Sequence, residues 1–310
     1  MNDEIKVEKT ADDTSGRYSY GDGKEYARVV LDSIGPNGRR LITVEAHYWR
    51  MIHSELLTHR AFSRNSASSR AIPFFRTKDG LPITNCTYSM VKHRPFIPEF
   101  LGSEQKGMQS GGELSGPARR EALYLINEMR LFCLDKCRRL SDLGLHKSII
   151  NRYVEPWLYT TVLITATEWK NFIRLRVHPK AEKHFCKIAK LIKCAIGNST
   201  PKRLEAGQWH MPYIREDDDT SNDLRRVSSA RCARLSYLTH DGRRDVSEDL
   251  RLFEDLINPK IEADQDEDVI HASPLEHVAQ AMEGHNYRSG PFVGWHQFRK
   301  EFPNENAEGI

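Results

Sequence analysis

The sequence has no run of about 18 consecutive apolar residues, so no membrane-spanning helix is expected. Its opening stretch, MNDEIKVEKTADDTSGRYSYGDGKE, lacks the apolar core of a secretory signal. Residues 1–25 therefore read as a disordered polar leader, residues 301–310 as a tail, and the protein is expected in the cytoplasm. No sign of charge dominates: the formal net charge is +3 over 310 residues. That is too mild for a general nucleic-acid binder, which should be basic over one face. It does not exclude a small anionic ligand, because a few clustered arginines serve one at any net charge. Cysteine is sparse and scattered (Cys86, Cys133, Cys137, Cys186, Cys194, Cys232), which fits reduced thiols in a cytosolic chain. Cys133 and Cys137 have no matching Cys/His pair nearby, so no metal site is expected. A G-x-S-x-G elbow is missing, which weakens any serine-nucleophile reading. Internal repeats and a clear linker are missing too, which points to one domain over residues 26–300.

What is present alternates strands with long helices. In RRLITVEAHY, Ile42, Val44, Ala46 and Tyr48 alternate with Thr43, Glu45 and His47, the period of a half-buried strand, after a GPNG turn. Residues 49–62 carry Ile52/Leu56 and Leu57/Ala61 at helical spacing. The apolar stripe Ala122, Leu125, Ile126, Met129, Phe132, Cys133 and Leu140 predicts an amphipathic helix packed on the core. YTTVLIT (159–165) reads as a buried strand. Thr165 and Glu168 have capping-box spacing and predict a helix start. Ala181, Phe185, Ile188, Ala189, Ile192 and Ile196 mark a helix, as do Val246, Leu250, Phe253 and Ile257. The Gly/Ser-rich segment 102–117 reads as a structureless loop or a lid, and the acidic run around Asp218 as a solvated loop. The fold class expected is mixed α/β (α+β), a mixed sheet with long helices.

The chemistry concentrates in THRAFSRNSASSRAIPF, Thr58–Phe74, where Arg60, Arg64 and Arg70 sit among Ser63, Ser66, Ser68 and Ser69. If the segment were helical, His59, Ser63, Ser66 and Arg70 would share a face. Guanidinium forks and hydroxyls suit a phosphate. A polar surface loop and an Arg/Ser segment contacting nucleic-acid phosphates are the alternatives, the latter short of aromatic stacking partners. Three other segments carry chemistry. TATEWKNFIRLR places Asn171 and Arg176 in a packing helix. SSARCARLSY sets Arg231 and Arg234 beside an expected strand. HASPLEHVAQAM brings His271, Ser273, Glu276 and His277, with Pro274 at a helix start.

Together these four segments resemble the flavin-dependent thymidylate synthases. That family's signature is Arg-His-Arg-x-x-Ser-x-Asn-Glu-x-Ser-x-Arg. His59, Arg60, Ser63, Asn65, Ser68 and Arg70 match it; Thr58 stands for the leading Arg and Ser66 for the Glu. ARCARLSY and HASPLEHVAQAM are similar to elements that precede the signature in commonly described members. Here they follow it, as in a circular permutation.

The resemblance implies conversion of dUMP to dTMP with FAD, NADPH and methylenetetrahydrofolate, in a homotetramer whose active sites lie where subunits meet. It assigns Ser66, Ser68, Ser69 and Arg70 to the nucleotide and its phosphate, with Glu55, Arg152 and Arg176 also on the nucleotide. Arg152 and Arg176 would be the catalytic arginines. His59, Arg60, Asn65, Asn171, His271, Ser273 and Glu276 fall at flavin-contacting positions. Asn171 and Arg176 are five apart, about 140° around a helix, so one ligand touching both would have to lie along a side between them, or two chains must share the work. Thr58, Ser66 and Glu55 depart from the family pattern, and a carboxylate can accept from an exocyclic amine. They leave open another pyrimidine deoxynucleotide such as dCMP, and a hydroxymethyl product from either nucleotide.

Overall fold

The computed structural model describes residues 7–9, 18–20, 24–78, 81–235, 245–258 and 271–302. In chain order its strands and α-helices are β1 (Val7–Lys9), β2 (Tyr18–Tyr20), β3 (Glu25–Ile34), β4 (Arg40–Trp49), α1 (His53–Leu57), β5 (Ser63–Ser66), β6 (Thr77–Lys78), β7 (Leu81–Pro82), α2 (Thr87–His93), α3 (Gly116–Asp142) and α4 (Lys147–Tyr153). There follow β8 (Tyr159–Ala166), α5 (Lys170–Arg176), α6 (Lys183–Gly197), β9 (Lys202–Arg203), β10 (Trp209–His210), α7 (Leu224–Ala233), α8 (Val246–Ile257), β11 (Ala279–Ala281), β12 (Arg288–Ser289), β13 (Phe292–Val293) and β14 (Trp295–Gln297).

The main sheet runs β1-β2-β3-β4-β8-β5, all antiparallel, and β9 joins the end of β3 in parallel. A mixed α+β fold is thus what the residues form. Most of the expected leader and the tail from residue 303 lie outside the described residues; 7–9 and 18–20 run as the outer strands of this sheet.

The β3–β4 connection is the turn read as GPNG. Gly38 takes φ +74°, a region open to glycine. Asn37 ties the turn to the C-terminal segment, donating to the Met282 carbonyl at 2.6 Å and the Gly294 carbonyl at 3.0 Å. From there β4 pairs along its whole length with β8, Ile42 opposite Ala166 through Trp49 opposite Tyr159. Ile42, Val44, Ala46 and Tyr48 meet Phe185, Ile188, Ala189 and Ile192 of α6 in the main core.

The strand is not half-buried, however. Thr43 and Glu45 are also buried, because the C-terminal half of the chain covers the opposite face. Alternation marks two faces of a strand; it does not say that one of them is wet.

Several helix expectations shift. Residues 49–62 give a 3-10 turn at Arg50–Ile52 and the five-residue α1, then turn into β5. His59, Ser63, Ser66 and Arg70 are therefore not stacked on one helical face: pairing of Ser63–Ser66 with Val162–Thr165 outweighs local helical periodicity. Thr165 ends no strand and caps no helix. It lies inside β8, and α5 starts at Lys170. The strand expected at Arg231 and Arg234 is instead α7, capped by Asp223, which accepts from the Arg225 N–H. Its small residues Ser228, Ser229, Ala230 and Ala233 are buried and let it lie close to α8. Tyr237 lies outside the described residues. Nor is Asp218 solvated: both its oxygens accept from buried Arg231, at 2.6 and 2.7 Å.

α3 forms as expected, and part of the expected stripe faces inward: Cys133 and Leu140 pack beside the buried Leu134 and Cys137. Arg130, Leu134 and Cys137 face inward, whereas Leu125, Met129 and Phe132 are 47%, 57% and 65% exposed in the single chain. The helix has apolar residues on two sides, and periodicity alone does not choose between them. The Gly-rich segment is also more ordered than expected. Gly102 bridges Glu113, Ser103 N–H donates to Gly112, and Gly111 N–H returns to Ser103. A Cβ on Gly102 would lie 2.3 Å from the Ser110 side chain, so glycine is needed for this close approach.

A buried polar relay crosses the sheet. Ser33 Oγ contacts His210 Nδ1 at 2.8 Å, and His210 Nε2 contacts Thr43 Oγ1 at 2.8 Å. Thr43 meets Thr165 at 2.8 Å, and Thr165 meets His277 Nδ1 at 2.7 Å. His277 Nε2 is buried with no hydrogen-bond partner among the described residues. If each hydroxyl proton serves one link, the relay has two directions. One ends in a buried, unpaired N–H; the other ends in a bare lone pair on His277, the cheaper orphan. The second direction puts the proton of both histidines on Nδ1.

Burial pushes the pKa of both His210 and His277 down from 6.5 to about 3. Because the folded value lies below the unfolded one, the stability these neutral rings contribute is present above pH 6.5 and is lost as pH falls toward 3. Each ring should contribute a slope of roughly 1.4 kcal/mol per pH unit in that window. Urea denaturation between pH 7 and 4 should show this slope, and His277→Gln should flatten it. A slope unchanged in that variant would mean His277 is not among the groups responsible.

Candidate active site

The residues singled out from sequence gather around two separate concavities with no lining residue in common. One is a cleft of about 730 Å³ lined by Asn65, Ser66, Ser68, Arg70, His271 and Ser273, all anticipated. The fold adds Arg64, His146, Lys147 and Ser148 to its walls. Among the described residues, no carboxylate is in its lining. The other is a cavity of about 1010 Å³ holding Glu55 and Arg176, with Trp49, Phe100, His184 and the Gly-rich segment 101–111 around them.

In the cleft, β5 delivers Asn65 and Ser66 and the turn after it delivers Ser68 and Arg70. Asn65 donates to the Cys232 carbonyl at 2.7 Å, which fastens β5 to the end of α7. Arg70 is exposed and makes no ion pair or side-chain hydrogen bond among the described residues. Arg64 spends Nη1 on the carbonyls of Leu56, Leu57 and His59, at 3.3, 2.8 and 3.1 Å, closing the C-terminal end of α1. Its other nitrogens make no such bond among the described residues. Lys147 reaches the Ala71 carbonyl at 2.9 Å. Three cations with hydroxyls between them form a site for an anion with several oxygens, although Glu276 lies near enough to Arg64 to act on its charge.

In the cavity, Arg176 is held on every side. Its Nε donates to His59 Nε2 at 2.9 Å, Nη1 to Glu55 Oε2 at 2.8 Å, and Nη2 to the Glu55 carbonyl and Thr58 Oγ1 at 3.2 Å each. Its guanidinium also lies 4.8 Å from the Phe185 ring. Because His59 accepts from Arg176, its proton must sit on Nδ1. Burial, then the charges of Arg176 and Arg64, push the His59 pKa down to about 4, so the ring is neutral at pH 7. Burial raises the Glu55 carboxyl despite Arg176 beside it. Thr58, which replaces the signature arginine, closes α1 by donating to the Glu55 carbonyl at 2.8 Å.

The remaining anticipated residues stand apart from both concavities. Ser69 is buried, its hydroxyl on Glu155 Oε1 at 2.6 Å; a neighbouring serine in sequence has been drawn inward instead of toward the cleft. Arg60 and Asn171 are exposed, as is Arg152 on α4. Glu276 is paired with Arg299. As the helical angle required, Asn171 and Arg176 serve different directions of α5. Lys147 and Arg64 were the missed members of the cleft. Lys147 lies 77 residues from Arg70 with no motif around it, whereas Arg64 sat inside the signature at a variable position.

No family model matches this chain, and no curated protein does. Among solved structures it is similar to the UMP/dUMP methylase PolB from Streptomyces cacaoi. With 5-Br UMP bound, that protein is 14% identical over 55% of this chain and 88% of that one, with a TM-score of 0.43. With 5-Br dUMP bound, the figures are 16%, 51%, 67% and 0.39. Likeness at this level does not say what this chain binds.

Arg176 can be tested without a ligand. Arg176→Lys keeps the charge but cannot make four directed bonds, so the variant should lose on the order of 1–2 kcal/mol of stability. Its midpoint in urea should fall while the slope stays constant; an unchanged midpoint would mean that this cluster contributes nothing to folding.

Proposed function

We propose that this protein is a flavin-dependent enzyme that methylates dUMP at C5 to give dTMP, using methylenetetrahydrofolate and NADPH. The observation that carries the reading is the cleft in which signature residues Asn65, Ser68 and Arg70 converge with Ser273 and His271 from the far end of the chain. Segments that precede the signature in commonly described family members thus lie beside it here, in keeping with a permuted chain order.

Within that reading, Arg70, Arg64, Lys147 and the Ser66 and Ser68 hydroxyls hold phosphate oxygens. Arg176, oriented in advance by Glu55, His59 and Thr58, lies against the pyrimidine and stabilises the charge that develops as C5 attacks; a group already oriented costs no reorganisation at that moment. The resemblance assigns Arg152 to the same ring, although it lies exposed outside both concavities. For FAD the fit is partial: Asn65, His271 and Ser273 line the cleft, while Arg60, Asn171 and Glu276 lie outside both concavities and His59 is bonded to Arg176. FAD supplies the hydride.

Because one chain leaves Arg70 and Arg176 in different concavities, a complete site needs a second copy. The exposed apolar side of α3 is a face such a copy would cover in a homotetramer. The carboxylate at Glu55 supports a second reading on the same machinery, in which dCMP presents its exocyclic amine to Glu55, with a methyl or hydroxymethyl product.

Purified protein incubated with FAD, NADPH, methylenetetrahydrofolate and each pyrimidine deoxynucleotide should bind flavin and yield dTMP from dUMP, identified by mass. Conversion of dCMP instead would select the second reading. Protein that neither binds flavin nor changes any nucleotide would overturn both. Arg70→Ala should weaken dUMP binding on the order of tenfold or more, since it removes a charge-assisted contact.

A further inference from the structure

The turn that carries Ser68 and Arg70 is held from beneath by side chains outside every motif. Arg50 Nη1 donates to the Ala67 carbonyl at 3.0 Å. Asn151 Nδ2 donates to two carbonyls, Ser69 at 2.6 Å and Ile72 at 2.8 Å. Glu155 accepts the Ser69 hydroxyl at 2.6 Å and is ion-paired with Arg50 at 2.9 Å. Asn151 is completely buried at the centre of this set.

The geometry of a trans peptide gives these contacts a consequence. Its C=O and the following N–H point in opposite directions. With the Ala67 carbonyl drawn to Arg50 and the Ser69 carbonyl drawn to Asn151, the N–H groups of Ser68 and Arg70 are turned the other way, to the side where both residues line the cleft. Alternate backbone N–H groups aimed into one concavity make an anion cradle. Of the neighbouring carbonyls, which would repel an anion, those of Ala67 and Ser69 are occupied on the inner side and that of Ser68 accepts the Ala71 N–H at 3.1 Å.

We infer that Asn151 is a positioning residue for the phosphate monoester of the nucleotide, fixing the Ser68–Arg70 backbone so that its N–H groups and the Arg70 side chain meet the phosphate together. This rests on the proposed nucleotide reading of the cleft. Asn151 touches no ligand; it acts through the turn. Its neighbour Arg152 faces solvent on the same helix, so α4 carries both a buried positioning group and an exposed cation.

The test compares dUMP with deoxyuridine, which lacks the phosphate, by calorimetry on the full chain and on Asn151→Ala. For the native chain, dUMP should bind at least tenfold more tightly than deoxyuridine. In Asn151→Ala that ratio should fall by about tenfold, since two directed bonds to the cradle are lost, while deoxyuridine affinity stays within twofold. A role in folding alone would lower both affinities together and leave the ratio intact, which would overturn the inference. If Asn151→Ala does not fold, Ser69→Ala decides: it removes the Glu155 bond and should lower the same ratio several-fold, and an unchanged ratio there would overturn the inference. A native chain that fails to discriminate dUMP from deoxyuridine would instead overturn the nucleotide reading on which the inference stands.

Discussion

Burial of polar groups on both faces of one sheet is the constraint from which the rest of this structure follows. Thr43 on β4 and Thr165 on β8 are completely buried, and each would carry a desolvation cost of about 1–3 kcal/mol without a partner. They find partners in each other and in two histidines, His210 and His277, which arrive more than forty residues after β8 ends. The C-terminal half therefore cannot leave the sheet without exposing or orphaning the whole relay. By the same link the Ser273–His277 turn is set beside β5, and Ser273 is brought to the cleft. A structural network of neutral histidines thus determines where a candidate ligand residue stands.

A similar division of labour holds among the arginines. Arg231 is buried and matched by Asp218 and Asp249, and it serves packing between α7, α8 and the preceding loop. Arg28 is matched by Glu45, whose carboxyl stays below the usual carboxylate range: burial raises it, but Arg28 and the Tyr213 and Tyr26 hydroxyls outweigh that. These cations are satisfied by the protein and have little left for a ligand. Arg70 has no such partner among the described residues, and an arginine without a partner keeps its field for an incoming anion.

Much of the fold was legible because it rests on local patterns. The GPNG turn, β4, β8, α6 and α8 all followed from periodicity and turn chemistry. What escaped depended on tertiary context. α7 was expected as a strand beside Arg231, since its helical character rests on small residues whose worth appears only against α8. The capping-box spacing of Thr165 and Glu168 was real, but eight ladder pairs with β4 held Thr165 in β8. In the site, Ser66, Ser68 and Arg70 came from the signature, while Lys147 and Asn151 carry no local mark at all. A buried asparagine that tethers two carbonyls looks in sequence like any polar residue on a short helix.

Arg176 poses the opposite case to Arg70, and the contrast bears on how the two concavities could act as one site. Its guanidinium is already bonded to His59, Glu55 and Thr58, so it gains little by attracting a ligand charge from solution. What it offers is a fixed direction, since a neutral His59 cannot donate back to it and the Glu55 carboxylate offsets much of its charge. Such a group suits a weakly polar ring oxygen whose charge grows during reaction, not a dianion. Arg70, exposed and unmatched among the described residues, suits the dianion. A ligand that needs both must present a phosphate at one end and a polarisable ring at the other, and it must reach from one concavity to the next. The two share no lining residue among the described ones, so in the proposed homotetramer such a ligand would be met by the cleft of one chain and the cavity of another.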